Sequence, residues 1–105
     1  MSGCTFSGLT HNAVHINKFC SGTISITGNN MSNIPERPIR LSGIQSGNIT
    51  ITGNTITSSG DAAGEYYKAS SMDSNVNVTW SNNTADGTEI VLSGTDNNQV
   101  GKKNE

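Results

Sequence analysis

The sequence predicts an all-β fold, in which short parallel strands stack into a solenoid of about four coils of about 25 residues each. Three observations carry this prediction. Apolar residues make up only 31% of the chain, yet they alternate with polar residues in short segments, as in strands with one buried face. The segments recur at a fixed spacing, and Gly-Asn pairs stand at repeated positions between them.

Composition excludes several other classes of protein. Asn, Ser, Thr and Gly supply 52 of the 105 residues, whereas charged residues are 13% and the net charge is −2. No apolar run is long enough to span a membrane, and the first ten residues show neither the basic start nor the apolar segment of a signal peptide. Strong helix formers are scarce. The net acidity argues against a nucleic-acid partner, so we expect neither nucleic acid nor membrane as a partner.

The repeat is clearest where residues 24–31 (ISITGNNM) are compared with residues 49–56 (ITITGNTI), at an offset of 25. Residues 78–85 (VTWSNNTA) match the second segment only at an offset of 29. The extra residues are expected near 58–64 and 70–75, which are rich in Ser, Gly and Asp as loops are. Because the copies stack like on like, consecutive strands are expected to lie parallel, about 4.8 Å apart.

The alignment also predicts which side chains face the core. Five columns take one residue from each of three or four successive coils: Ile24, Ile49 and Val78; Ile26, Ile51 and Trp80; Phe6, Met31, Ile56 and Ala85; Val14, Ile39, Tyr67 and Ile90; Ile16, Leu41, Ala69 and Leu92. Trp80 replaces an isoleucine and is predicted to be core rather than a ligand platform. One turn position holds Asn29, Asn54 and Asn83, which can pass amide hydrogen bonds from coil to coil.

The predicted solenoid covers residues 1–101, with coils near 3–23, 24–48, 49–77 and 78–99, and a polar tail at 102–105. Gly3 aligns with Gly28, in the middle of a coil, and Val100 is expected to open a further coil. The chain is therefore expected to be a piece of a longer solenoid, or a subunit whose ends are covered by other copies, for example in a homotrimer.

With its repeated I-x-I-x-G-N-x-I pattern at 24–31 and 49–56, the chain resembles the right-handed parallel β-helix (pectate-lyase-like) superfamily. The resemblance implies a right-handed single-stranded parallel β-helix, and the crossover rule for parallel strands gives the same hand. The superfamily includes pectate lyases, polygalacturonases, alginate epimerases and bacteriophage tailspikes, most of which bind or cleave polysaccharides along the side of the helix. Their carboxylate clusters, Gly-His-Gly motif and calcium-binding nonapeptides do not occur here, so no catalytic residue is carried over.

Charged side chains concentrate on one predicted strip of the surface. Two outward columns form it, namely His15, Arg40, Lys68 and Val91, and Asn12, Arg37, Glu65 and Thr88. Tyr66 stands beside them as an aromatic surface on which a sugar ring could pack. Candidate ligand-binding residues are therefore His15, Arg37, Arg40, Tyr66 and Lys68. The alternative to a binding site is a solvent-exposed face of ion pairs, each of which contributes under about 1 kcal/mol to stability.

Catalysis and metal binding have weaker support in the sequence. Glu36 and Glu65 in adjacent coils, with Glu89 one coil further, could reach the roughly 5–9.5 Å separation that glycoside hydrolysis requires. His11 and His15 lie on a strand-like segment without a third ligand, so no metal or other cofactor is predicted. Cys4 and Cys20 fall at different points of the coil, which disfavours a disulfide.

The leading function is carbohydrate recognition by part of a tailspike-like or polysaccharide-degrading protein, at an extracellular site or a virion surface. Two alternatives stay open: a purely structural β-solenoid spacer, and a glycoside hydrolase or polysaccharide lyase.

Overall fold

In a computed structural model, residues 5–7, 14–19, 22–34, 36–60, 64–73, 75–94 and 98–104 are described, and they form an all-β fold with a curled sheet. The first six strands are β1 (Thr5–Ser7), β2 (Val14–Phe19), β3 (Thr23–Thr27), β4 (Asn30–Ser32), β5 (Ile39–Ile44) and β6 (Gly47–Thr52). The other six are β7 (Thr55–Thr57), β8 (Glu65–Ser70), β9 (Val76–Ser81), β10 (Thr84–Ala85), β11 (Thr88–Gly94) and β12 (Gln99–Lys103).

Ten of these strands form three ladders of parallel strands. The ladders are β1-β4-β7-β10, β2-β5-β8 and β3-β6-β9. Each pass of the chain therefore adds one strand to each ladder before it returns to the first. Each ladder can stack only where its apolar positions repeat in register, since a shift by one residue would turn every side chain to the other face.

The predicted register is confirmed in these ladders. Ile24 lies beside Ile49, an offset of 25 residues, and Ile49 lies beside Val78, an offset of 29. Ile39 lies beside Tyr67, an offset of 28. The extra residues thus enter between β7 and β8 and between β8 and β9, in the two loops that composition had indicated.

The core lies between the ladders and holds most of the described members of the predicted columns. Its buried members include Ile26, Ile51, Met31, Ile56 and Leu41, while Trp80 packs against it as a partly buried residue. The Tyr67 and Trp80 rings tilt 50° to one another with centroids 4.9 Å apart, and the indole Nε1 of Trp80 donates to the Ile90 carbonyl at 2.8 Å. Trp80 therefore has a core role, as predicted.

The buried asparagine ladder is also confirmed. The side-chain amide of Asn29 donates to Asn54 Oδ1 at 3.0 Å, and that of Asn54 donates to Asn83 Oδ1 at 2.8 Å. The Asn54 and Asn83 side chains also bond to the backbone, since Asn54 Nδ2 donates to the Ile26 carbonyl at 3.0 Å and Asn83 Nδ2 donates to the Ile51 carbonyl at 2.9 Å. All three residues are fully buried, so this ladder satisfies the polar groups of the turns where water cannot reach them.

The prediction that the fourth coil is parallel throughout is wrong, because only its first two strands, β9 and β10, stack parallel on the preceding pass. β10 turns back into β11 as an antiparallel hairpin, β11 pairs antiparallel with β12, and β12 pairs antiparallel with β8. Ile90 and Leu92 therefore do not follow Tyr67 and Ala69 in their columns, because β12 lies between the two strands. Val100 lies opposite Lys68 rather than opening a further coil.

The cause of the reversal is a two-residue turn. Asp86 and Gly87 both have positive φ, 50° and 81°, and they link the paired residues Ala85 and Thr88. Two consecutive left-handed residues define the type I′ turn, whose twist matches an antiparallel hairpin. At the corresponding corners of the two preceding passes, only Asn33 and Ser58 have positive φ, and the chain continues forward there.

The last two strands close one end of the stack. β11 and β12 lie against β10 and β8, and so join two of the three ladders into one nine-stranded mixed sheet. Gly101 of β12 faces inward, where an added Cβ would lie 3.1 Å from both Ile90 Cγ2 and Tyr67 Cβ. Lys102 and Lys103, expected in a polar tail, belong to β12.

Candidate functional site

Three of the predicted ligand-binding residues form a row across the outer face of the β2-β5-β8 ladder, called the basic row below. His15 on β2 lies beside Arg40 on β5, which in turn lies beside Lys68 on β8. Neighbouring strands are about 4.8 Å apart, so each side chain is within reach of the next. The flanking positions on these strands face the core, which leaves His15 exposed and Arg40 and Lys68 half-buried.

The row does not continue as the alignment predicted. Val91 was expected to follow Lys68, but Val100 of β12 lies beside Lys68, and Ser93 of β11 lies beyond Val100. Val91 instead pairs with Lys102 and is 37% exposed. The inserted β12 thus brings Lys102 close to this face, although sequence reasoning had placed that residue in a tail.

A second row of polar side chains runs parallel to the basic row, two residues further along each strand. It consists of Asn17, Ser42 and Ser70. The Ser42 hydroxyl donates to Asn17 Oδ1 at 3.2 Å on the exposed surface. Hydroxyl and amide groups supply both hydrogen-bond donors and hydrogen-bond acceptors. Next to the basic row, they could bind the polar groups of a charged ligand.

Arg37 and Glu65, which the sequence placed in one outward column, form a direct ion pair. Arg37 Nε donates to Glu65 Oε1 at 2.6 Å, and the two side chains are 23% and 13% exposed. The predicted neighbourhood is therefore right. The contact ties the chain before β5 to the start of β8, and part of the hydrogen-bonding capacity of Arg37 is used within the protein.

Tyr66 is not an exposed sugar platform. Its side chain is only 6% exposed, because it lies at an irregularity in the pairing of β8 with β12. Gly101 pairs with Tyr67 and Lys102 with Glu65, which leaves Tyr66 as an extra residue between them. A β-bulge of this kind redirects a side chain, and Tyr66 contacts Gly60 on one side with the Lys103 ammonium 6.0 Å from its ring centroid.

Glu89 does not stack with Glu65 as the third candidate carboxylate. Glu65 is held by Arg37, and Glu36 is half-buried before β5. Glu89 lies on β11 opposite Thr84, in the hairpin, with β12 between it and β8. The arrangement predicted by stacking Glu89 one coil above Glu65 is therefore wrong.

A charged cluster that sequence reasoning missed fastens the closing hairpin. Asp86 Oδ1 accepts the Ser58 backbone N–H at 2.9 Å, and Asp86 Oδ2 lies 3.1 Å from Lys103 Nζ. The Ser58 amide first, and Lys103 second, lower the pKa of the Asp86 carboxyl. The hydrogen bond to Asp86 raises the pKa of Lys103. The Asp-Gly pair at 86–87 was the available signal, since this dipeptide between apolar segments is a strong hairpin indicator.

Other candidates lie outside the described residues, namely His11, Asn12, Cys4 and Cys20. Within the described part of the chain, His, Cys, Asp and Glu do not come together in a group of three that could hold a metal ion. The described residues also contain no helix that is long and apolar enough to cross a membrane.

Comparison with known proteins adds no relative. The chain matches no protein-family model, and no curated protein or solved structure is significantly similar to it.

Proposed function

We propose that this chain is a carbohydrate-recognition module built on a right-handed, single-stranded parallel β-helix, and that it binds an acidic polysaccharide along the basic row of His15, Arg40 and Lys68. In this proposal the chain belongs to a larger tailspike-like or polysaccharide-degrading protein, and it binds the polysaccharide outside the cell or at a virion surface.

The helical path is supported by the three parallel ladders, each of which receives one strand per pass of the chain. Strands that are joined by a crossover and lie parallel in one sheet follow a right-handed path in about 98% of cases. The antiparallel hairpin of β11 and β12 then closes one end of the helix.

The observation that carries the choice of ligand is the register of the basic row. A repeating polymer presents the same group at regular intervals, and the ladder presents one basic side chain per strand at intervals of about 4.8 Å. Arg40 can form two parallel hydrogen bonds to a carboxylate, whereas Lys68 acts as a point charge. Among the outward residues of β2, β5 and β8 in this row, no carboxylate opposes an anionic polymer.

The test is a calorimetric titration with polygalacturonate, an anionic polymer, and with dextran, a neutral one. We expect binding of polygalacturonate that weakens as salt is added, since screening lowers the attraction between exposed charges. Arg40→Ala and Lys68→Ala should each weaken it several-fold. Lys103→Ala is the matched control, because it removes one positive charge that is bonded to Asp86 away from the row.

Equal weakening by all three substitutions would mean that net charge, and not the basic row, attracts the polymer. Equal binding of dextran would exclude acidic groups as the feature recognised. Either result overturns the site.

A structural role is the second candidate, and the Arg37–Glu65 ion pair favours it. That pair shows charged side chains of the strip joining one pass of the chain to the next. If the strip only holds the solenoid together, neither polymer binds, and Arg37→Ala lowers stability while Arg40→Ala does not.

A further inference from the structure

In the part of the chain that the structure describes, the β3-β6-β9 ladder ends at β9 without a neighbouring strand. Among the described strands, β9 pairs only with β6, whereas the other two ladders are covered at the same end by β11 and β12. One of the three ladders therefore stays open where the other two are closed.

Core side chains are incompletely covered at this open edge. Val76, Val78 and Trp80 are only partly buried, although Val78 and Trp80 continue the columns of Ile49 and Ile51, which are 1% and 0% exposed. The opposite end of the same ladder does not show this gap. There, on β3, the corresponding residues Ile24 and Ile26 are 8% and 1% exposed.

The chemistry of β9 favours pairing with another strand. Its sequence, Val-Asn-Val-Thr-Trp-Ser, contains no charge and no proline, which are the usual means of protecting an edge strand. The Gly53 N–H donates to the Ser81 carbonyl at 3.1 Å, so the backbone groups of residues 77, 79 and 81 point toward β6. Because backbone groups alternate along a strand, those of Val78 and Trp80 point toward the open edge.

We propose that a second copy of this chain pairs with β9 through its own β9, antiparallel and about a two-fold axis at Val78. Val78 then lies opposite Val78 of the second copy and exchanges both backbone hydrogen bonds with it. In the same register Trp80 lies opposite Val76, so the apolar side chains of both strands face the same side. The two cores meet, and the two three-stranded ladders become one sheet of six strands.

The register is self-complementary, as a two-fold contact must be. Every inward residue of β9 meets an inward apolar residue of the other copy, and Asn77 meets Thr79 on the outer face. A head-to-tail contact, with β3 of one copy on β9 of the next, would extend all three ladders together. The β11–β12 hairpin occupies the positions that the other two ladders would need, so the closed dimer is the arrangement that the fold permits.

The first test is sedimentation equilibrium of the unmodified protein, which should give twice the monomer mass of 11.0 kDa. Trp80 is the one tryptophan of the chain and lies in the proposed interface. Its emission should therefore shift to shorter wavelength as protein concentration rises through the association range. A monomer at all concentrations, a trimer, or polymers that lengthen with concentration would each overturn the proposal.

The register is tested with a charge pair. Val78→Lys places two like charges opposite one another and should weaken association at least tenfold, and Val78→Glu should do the same. An equimolar mixture of the two variants should restore a dimer of one copy of each. Thr79→Lys is the matched control, because it adds the same charge to the outer face of the same strand and should leave the dimer intact.

Circular dichroism is to be used to check that each variant folds. The concentration dependence of Trp80 emission is measured on the unmodified protein, so that test does not require any variant to fold. A Val78→Lys protein that still dimerises, or a mixture that fails to pair, would place the contact elsewhere.

Discussion

Replacing Asn54 by alanine is expected to cost the protein a large part of its stability. Asn54 is the middle member of the buried asparagine ladder. Its Oδ1 accepts the backbone N–H and the side-chain amide of Asn29, both at 3.0 Å. Its Nδ2 donates to the Ile26 carbonyl at 3.0 Å and to Asn83 Oδ1 at 2.8 Å.

The magnitude follows from the groups that lose these partners. The alanine variant removes this acceptor from two buried donors of Asn29, and a buried donor without its hydrogen bond costs about 1–3 kcal/mol. The sum is about 2–6 kcal/mol. A domain of this size has a free energy of unfolding of about 5–15 kcal/mol, so the loss is about 40% of it when the middle of each range is taken.

The assay is urea unfolding followed by far-ultraviolet circular dichroism, at one fixed protein concentration because association would change apparent stability. Asn77→Ala is the control, since Asn77 is an exposed residue of the same type with one surface hydrogen bond of 3.3 Å to Asn48. It should change the free energy of unfolding by less than about 0.5 kcal/mol. If the two variants unfold at the same urea concentration, the ladder does not stabilise the fold.

Two further predictions concern the closing hairpin. Gly87→Val should lower the free energy of unfolding by about 1–2 kcal/mol, because Gly87 has a φ of 81° and residues with a side chain rarely adopt this conformation. Gly87→Asn should lower it by less, since asparagine tolerates positive φ better than valine. If denaturant titrations give equal losses for the two variants, the cause is not the backbone conformation. Asp86→Asn should destabilise the protein by a fraction of a kcal/mol at neutral pH. The folded-state pKa of Asp86 is lowered, so its contribution is present above the unfolded pKa of about 3.9 and disappears as pH falls through the folded value. The difference between the unmodified protein and the variant should therefore shrink in acid, and a difference that grows there would contradict the assignment.

Most of the fold could be predicted because it depends on repeated local patterns. Residues 24–31 and 49–56 share an alternation that leaves only one register with every apolar side chain inward. The columns through Ile49 and Ile51, and the asparagine ladder, follow directly from that register. The two loop insertions were visible as a change of offset that leaves the strands themselves unchanged.

The closing hairpin was mispredicted because the repeat was extended past the point where it physically ends. Leu92-Ser93-Gly94 resembles Leu41-Ser42-Gly43 in sequence, and this likeness suggested another parallel strand. The turn at Asp86 and Gly87 determines the outcome, since two consecutive residues of positive φ reverse the chain whatever apolar residues follow. Attention to the Asp-Gly dipeptide would have indicated the antiparallel end.

The basic row was predictable and its surroundings were not. The row of His15, Arg40 and Lys68 depends only on the parallel register of β2, β5 and β8. The burial of Tyr66 depends on a bulge in the pairing of β12 with β8, and this pairing joins residues 30 or more positions apart. Pairings of this kind leave no local trace in the sequence.

The basic row, the open edge at β9 and the asparagine ladder all follow from the order of the strands, which nuclear magnetic resonance can test directly. The residue that lies beside Lys68 on the far side from Arg40 distinguishes a solenoid that continues from one that is closed by a hairpin. The strand order predicts that backbone protons of Lys68 are close to those of Arg40 on one side and of Val100 on the other. Close contacts of Lys68 with Val91 in place of Val100 would restore the continuous parallel solenoid and contradict the closed end.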